Sequence, residues 1–307
     1  MTGPAALGFD TSNYTTSCAL FDGQEGRNAG RLLPVREGEL GLRQSEALFS
    51  HVKRLPEIFR ELHVTGSVAA VGASSKPREA EDSYMPCFLA GLSQGAVLAE
   101  MLNVPFFTFS HQQGHIAAAA WSAGRPDLLE QSHLAWHLSG GTTELLHVVK
   151  KGPAVSCTVI GGTTDVSAGQ LIDRTGQRLQ LAFPAGRALD ALAASGSGED
   201  LFKVRTDGLY FSLSGVEHKM KQRTEAGEDP AETARFVLLS LIHAVGKVTA
   251  AARAIYGNLP VLFSGGVASN SLLRERMADG IFAEPRYSTD NALGTAILTW
   301  RAVSEHG

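Results

Sequence analysis

His111 and His115 stand four residues apart in 110-SHQQGHIAAAA-120, just ahead of a run of alanines. Residues at i and i+4 share one helical face, so the two imidazoles can hold one metal ion between them. The same spacing also arises from two ordinary polar residues on a helix. The pair lacks the intervening glutamate of the HExxH zinc proteases, which argues against peptide hydrolysis. A third ligand is available in 287-YSTDNALGT-295, where Asp290 precedes a helical run. Another candidate is His137, whose neighbours Trp136 and Leu138 face the opposite side of its strand. Two histidines and a carboxylate suit iron or zinc.

Three turns offer a second chemistry. Ser139-Gly140-Gly141-Thr142-Thr143 follows an apolar strand, and its glycines let the backbone turn tightly and aim amides and hydroxyls at phosphate oxygens. Ser264-Gly265-Gly266 leads into a helix whose N-terminal amides favour an anionic ligand. Asn270, in the first turn of that helix, can hydrogen-bond a ribose or base. Asp10 ends the first strand beside Thr11 and Ser12, where a carboxylate can position a hydrated metal–phosphate. Each turn alone also reads as a plain hairpin or strand–helix connection. Three of them in one chain are what a two-lobed phosphate clamp for a nucleotide requires.

Strand and helix signals alternate along the chain, which predicts α/β architecture. The opening 5–23 reads as a hairpin with hydroxyls at its bend. A helix follows over 44–63, interrupted or restarted near Pro56. A strand over 68–74, a helix beginning near Cys87 and a strand over 104–110 then deliver the chain to His111. The second half brings strands over 133–141 and 142–150, and a strand, turn and helix over 259–277. Segments 195–201 and 222–233 read as surface loops or helix starts. The echo between LSGGTTE and FSGGVAS suits two related lobes. The division expected is an N-terminal lobe, 1–110, on which a helix over 292–307 packs back, and a C-terminal lobe, 111–291.

With 307 residues the chain can form two lobes with real cores. Its 27 basic and 31 acidic residues give −4, so no strong basic field advertises nucleic acid, although a local patch can serve an anionic partner such as tRNA. Cys18, Cys87 and Cys157 form no CxxC pair, which argues for a reducing compartment. The start MTGPAALGFDTS lacks a basic, apolar signal peptide. The apolar stretch 88–107 carries Gln94, Glu100 and Asn103 and reads as a buried helix running into a strand. The expectation is a cytoplasmic protein without a membrane span.

DTS near the N-terminus, SHQQGH, LSGGTTEL, LFSGGVASN and STDNA, in that order, resemble the TsaD/Kae-type proteins, once labelled O-sialoglycoprotein endopeptidase or glycoprotease. The match runs across nearly the whole chain. It implies the actin-like ATPase, hexokinase and heat-shock-protein fold group: two RNase H-like lobes with a nucleotide in the cleft. It also implies transfer of a threonylcarbamoyl group from an adenylate onto the tRNA adenosine next to the anticodon, with other subunits of a tRNA-modification complex as partners.

The resemblance further makes His111, His115 and Asp290 ligands of one divalent metal ion, iron or zinc. Gly140, Gly141 and Thr142 become phosphate-side contacts of ATP or an acyl-adenylate, and Gly266 with Asn270 adenosine-side contacts. Asp165 matches an aspartate that meets the ribose, and Gly186 the glycine of a YPGG turn. Some relatives place a tyrosine ligand where His137 stands. No residue is nominated as general base.

The departures concern other parts. Charged residues occupy 74-SSKPREAEDSYMPCFLAG-91, where the family carries a glycine-rich stretch. Val166 and Gln170 replace two carboxylates, and Glu217 replaces a lysine. An early arginine–histidine element is reduced to 43-RQSEALFSH-51. If Glu217 points into the cleft it repels tRNA; if it points to solvent it does not. A paralogue with the same ATP and metal site but another acceptor, and a non-catalytic partner subunit of a more typical member, are the competing readings.

Overall fold

The computed structural model describes residues 3–12, 14–34, 42–80 and 82–306. The chain divides into two compact units: Met1–Gln131 with Val149–Cys157 and Tyr287–Gly307, and Ser132–Val148 with Thr158–Arg286.

The first unit is built on β1 (Ala5–Asp10), an apolar strand buried at every position. β2 (Thr15–Phe21) pairs with it antiparallel, and β3 (Gly26–Leu32) pairs with β2. After α1 (Gln44–Glu61), β4 (Val68–Lys76) joins β1 in parallel; after α2 (Leu89–Leu102), β5 (Phe106–Ser110) joins β4, giving the order β3-β2-β1-β4-β5. Alternation along β1 decides which face meets which helix. Leu7 and Phe9 join the core cluster with Leu55 and Ile58 of α1, where Phe9 stacks on Phe59. Gly8 faces the other way, against the C-terminal helix Leu293–His306. α1 runs unbroken through Pro56, because that residue and Val52, whose carbonyl loses its partner, both lie on the exposed side where water can replace the bond.

The second unit opens with β6 (His133–Leu138) and all but the end of β7 (Thr143–Lys151), antiparallel neighbours, followed by the later part of β8 (Ala154–Thr163). Next come α4 (Ala168–Arg178), α5 (Gly186–Ala193), the short pair β9 (Thr206–Asp207) and β10 (Tyr210–Phe211), and α6 (Ser214–Glu225). α7 (Pro230–Tyr256), β11 (Val261–Ser264), α8 (Ser271–Arg276) and β12 (Ile281–Phe282) complete it. The sheet order is β12-β11-β6-β7-β8-β10-β9, with β6 and β11 parallel.

The segment 222–233, which reads as loop or helix start, spans the end of α6 and the start of α7. Asp229 caps α7 and Pro230 fills its first position, where the missing N–H costs nothing. By length and composition α7 is apolar enough to cross a membrane, yet most of its apolar stretch is buried in the core of this unit. There Trp136 Nε1 donates to Thr249 Oγ1 at 2.9 Å.

The unit boundary lies after Gln131 instead of after 110, because the helix α3 (His111–Ser122) packs on the C-terminal helix. Residues 287–291, including Asp290, also belong to the first unit. The three candidate metal ligands therefore share one compact body.

Candidate functional site

Where β5 ends, Ser110 starts α3 with a capping box: its Oγ accepts the Gln113 N–H, and Gln113 Oε1 accepts the Ser110 N–H at 2.7 Å. His111 is thus the first helical residue, and His115 stands one turn further along. The C-terminal helix crosses α3 backbone to backbone; a Cβ on Gly294 would come 1.7 Å from the Gly114 carbonyl oxygen. Asn291 shapes the approach, its Nδ2 donating to the Thr289 carbonyl at 2.7 Å and its Oδ1 accepting the Leu293 N–H at 3.1 Å. Asp290 Oδ1 then lies 3.4 Å from His111 Nε2 and 3.3 Å from His115 Nε2, while the two Nε2 atoms are 2.8 Å apart.

This is the group of residues able to hold a metal ion among the described residues. Ligand atoms about 2.1 Å from a tetrahedral ion stand ~3.4 Å apart. The two aspartate–histidine separations match that edge, and the histidine pair opens by about half an ångström to reach it.

Asp10 fixes which nitrogen of His111 faces the cluster. Its Oδ2 pairs with His111 Nδ1 at 2.8 Å and accepts the Ser74 hydroxyl at 2.5 Å, while Oδ1 accepts the Ser12 N–H at 3.0 Å. The proton belongs on Nδ1, leaving Nε2 as the ligand atom. Burial opposes charge on His111, but the carboxylates of Asp10 and Asp290 outweigh it and push its pKa up to about 10. Burial likewise works against ionised Asp290 and Asp10, yet histidine contacts hold both well below the usual carboxylate range. The cluster thus carries excess negative charge once His111 deprotonates, a setting that favours a cation.

The neighbours of Asp10 have other tasks. Thr11 Oγ1 donates to the Cys87 carbonyl at 3.0 Å and accepts the Gly91 N–H at 3.1 Å, tying β1 to the start of α2. Ser12 Oγ is buried and has no hydrogen-bond partner among the described residues. His51, the end of the reduced arginine–histidine element, is fully buried with Nδ1 2.8 Å from Thr16 Oγ1. His137 belongs to the second unit, where its Nδ1 lies 3.3 Å from Ser264 Oγ.

The two Ser-Gly-Gly turns stand side by side at the C-terminal ends of the parallel strands β6 and β11, where open α/β sheets bind ligands. Ser139 closes a tight hairpin: its N–H donates to the Thr142 carbonyl at 2.8 Å and its Oγ accepts the Thr142 N–H at 3.0 Å. The start of α4 is strapped to this turn, with Ser167 Oγ donating to the Gly140 carbonyl at 2.6 Å. Gly265 has φ +91°, and a Cβ there would lie 2.2 Å from the Leu138 carbonyl oxygen, so no other residue fits.

Beside the turns lies a cavity of about 450 Å³, lined in part by Gly140, Asp173, Gly186, Asp190, Gly266 and Asn270. A Cβ on Gly186 or Gly266 would meet nothing within 4 Å. Asn270 Oδ1 accepts the Leu273 N–H at 2.9 Å, and its Nδ2 donates to Asp190 Oδ1 at 2.7 Å. The second amide N–H of Asn270 meets no acceptor among the described residues. Asp173 and Asp190, which sequence reasoning passed over, had a signal only in their spacing around the FPAGRAL turn.

Asp165 does not line this cavity. Its carboxylate receives the hydroxyls of Ser212 and Ser214 and the Leu213 N–H at 2.9 Å, capping α6. Burial would raise its pKa, but these donors hold it well below the usual range. Glu217 is bridged by Lys221 at 2.7 Å and Arg174 at 2.8 Å, so its charge is neutralised locally.

The family model described as "TsaD: tRNA N6-adenosine threonylcarbamoyltransferase" matches residues 84–297. The tRNA N6-adenosine threonylcarbamoyltransferase of Thermus thermophilus is 30% identical over 309 residues, covering 96% of this chain and 92% of the relative. That of Enterococcus faecalis is 31% identical over 246 residues, covering 77% of this chain and 64% of the relative. Among solved structures, full-length HypF in its phosphate- and nucleotide-bound form aligns with a TM-score of 0.62 at 11% identity, over 98% of this chain and 46% of HypF. A ROK hexokinase from Thermus thermophilus aligns with a TM-score of 0.51 at 16% identity, over 98% of this chain and 99% of the hexokinase. These structures share the fold expected from the sequence, that of the actin-like ATPases and hexokinases.

Proposed function

Because the chain belongs to the TsaD family, the tRNA N6-adenosine threonylcarbamoyltransferases, we propose that it moves a threonylcarbamoyl group from an adenylate onto the tRNA adenosine next to the anticodon. The observation that carries this reading is the cluster of His111, His115 and Asp290, with Asp10 fixing the tautomer of its first histidine.

His111 Nε2, His115 Nε2 and Asp290 Oδ1 are the atoms that would hold a divalent ion, iron or zinc. Bound there, the ion supplies Lewis acidity toward a phosphate or carbonyl oxygen. Asp10 keeps a proton on His111 Nδ1, and Ser74 keeps Asp10 in place. In the second unit the backbone of Gly140, Gly141 and Thr142 cradles the phosphate end of the adenylate, and the second amide N–H of Asn270 meets its nucleoside. Gly186 and Gly266 leave the space that the ligand needs. The work is done with other subunits of a tRNA-modification complex, in the cytoplasm, where Cys18, Cys87 and Cys157 stay reduced.

Expression in a cell depleted of its own TsaD tests this reading, with threonylcarbamoyladenosine in tRNA quantified by mass spectrometry. The wild-type chain restores the modification and His111→Ala does not. Modification restored equally by His111→Ala overturns the reading. So does none from the wild type in the presence of its native partner subunits.

A further inference from the structure

Among the residues lining the second unit's cavity, three are ionisable: Asp173, Asp190 and Arg187. Both carboxylates are engaged. Asp173 Oδ1 accepts the Ala185 N–H at 2.9 Å, and Asp190 accepts Asn270 Nδ2 at 2.7 Å together with the N–H and hydroxyl of Ser271, each at 2.9 Å. Arg187 differs. It is the second residue of α5, it is exposed, and it makes no hydrogen bond or ion pair among the described residues. Gly186 before it leaves open space, while Ile172, Pro184 and Val267 give the cavity apolar wall.

We propose that Arg187 is a specificity-determining residue that recognises a purine base by its face, with the guanidinium lying flat on the ring. This rests on the nucleotide reading of the cavity. A planar cation facing an apolar wall suits a flat aromatic ring. Asp190 is one helical turn away on the same face of α5, and Asp173 lines the same cavity, so a phosphate at this end would meet two carboxylates. A neutral base meets no such penalty. The phosphates go instead to the hairpin turn at Gly140, which presents backbone in place of carboxylates.

Calorimetric titration of the full-length protein with adenosine, ATP and inorganic tripolyphosphate tests this, using wild type, Arg187→Ala and Arg187→Lys. Arg187→Ala should weaken adenosine and ATP alike by about tenfold, leaving tripolyphosphate unchanged, and lysine should restore little. Loss of ATP and tripolyphosphate affinity with adenosine spared, rescued by lysine, would make Arg187 a phosphate contact and overturn the proposal. Unchanged affinities in Arg187→Ala also overturn it. If the wild type itself binds neither adenosine nor ATP, the nucleotide reading fails first and the proposal falls with it. Unchanged circular dichroism of the variants excludes misfolding as the cause.

Discussion

Around His111 the working atoms are side chains, each aimed by another: Asp10 aims His111, Ser74 aims Asp10, and Asn291 shapes the loop that brings Asp290. At Gly140 and Gly266 the cavity is bounded by backbone, and what matters at those two positions is the absence of side chains. The first region is vulnerable to losing an atom and the second to gaining one. A side-chain cluster can also be tuned by protons, whereas a backbone cradle cannot.

The comparison is broken most severely by adding a methyl group behind the cavity, in the turn that carries Gly266. Gly265→Ala sets a Cβ against a backbone carbonyl that cannot move aside, at a φ that L-residues avoid. It should cost about 3 kcal/mol in urea unfolding and abolish ATP binding while metal affinity per folded molecule stays the same. Asp10→Asn is the converse. It keeps the shape but loses the charge behind His111, so metal affinity should fall about 10–100-fold with nucleotide affinity unchanged. If Asp10→Asn binds metal as tightly as wild type, the orienting role is wrong.

The third test concerns protons. Burial pushes the pKa of His51 down to about 4, against an ordinary value near 6.5. Between these values the unfolded chain takes up a proton that the folded chain resists, so stability is intact above the upper value and falls as pH drops through the window. From pH 7 to pH 5 the loss from this group is about 2 kcal/mol. His51→Gln should remove that part of the pH dependence in denaturant titrations; an unaltered slope would show that His51 is not buried neutral. The smallest effect is expected at Glu217→Gln. Its carboxylate is buried, but both partners, Arg174 and Lys221, are largely exposed and can still donate to a glutamine oxygen, so stability should change by about 1 kcal/mol.

The legible parts of the sequence were those whose logic is local. The i, i+4 histidines and the Ser-Gly-Gly turns ending apolar strands stand within a few residues of what they act on, whereas Asn270, expected in the first turn of its helix, is the residue that caps it. Asp10 was readable as a polar strand end but not as the partner of His111, since that contact joins positions 101 apart in sequence. Asp165, placed at the ribose by the resemblance, also caps α6, a role with no local sign because its donors Ser212, Leu213 and Ser214 arrive from far along the chain. The body of α7 beyond 233 carries a helical period, with Glu232, Arg235, His243, Lys247 and Arg253 on its less buried side, that the sequence reading left unassigned. The unit boundary moved because α3 packs on a helix at the other end of the chain, a tertiary choice with no local sign.

The most direct test of the metal centre is elemental analysis of the protein purified under conditions that retain bound metal, alongside Asp290→Ala of equal circular dichroism. One equivalent of iron or zinc in the wild type and none in the variant is the predicted result. Equal metal in both would mean that the ion sits elsewhere, and would contradict the assignment of His111, His115 and Asp290 as its ligands.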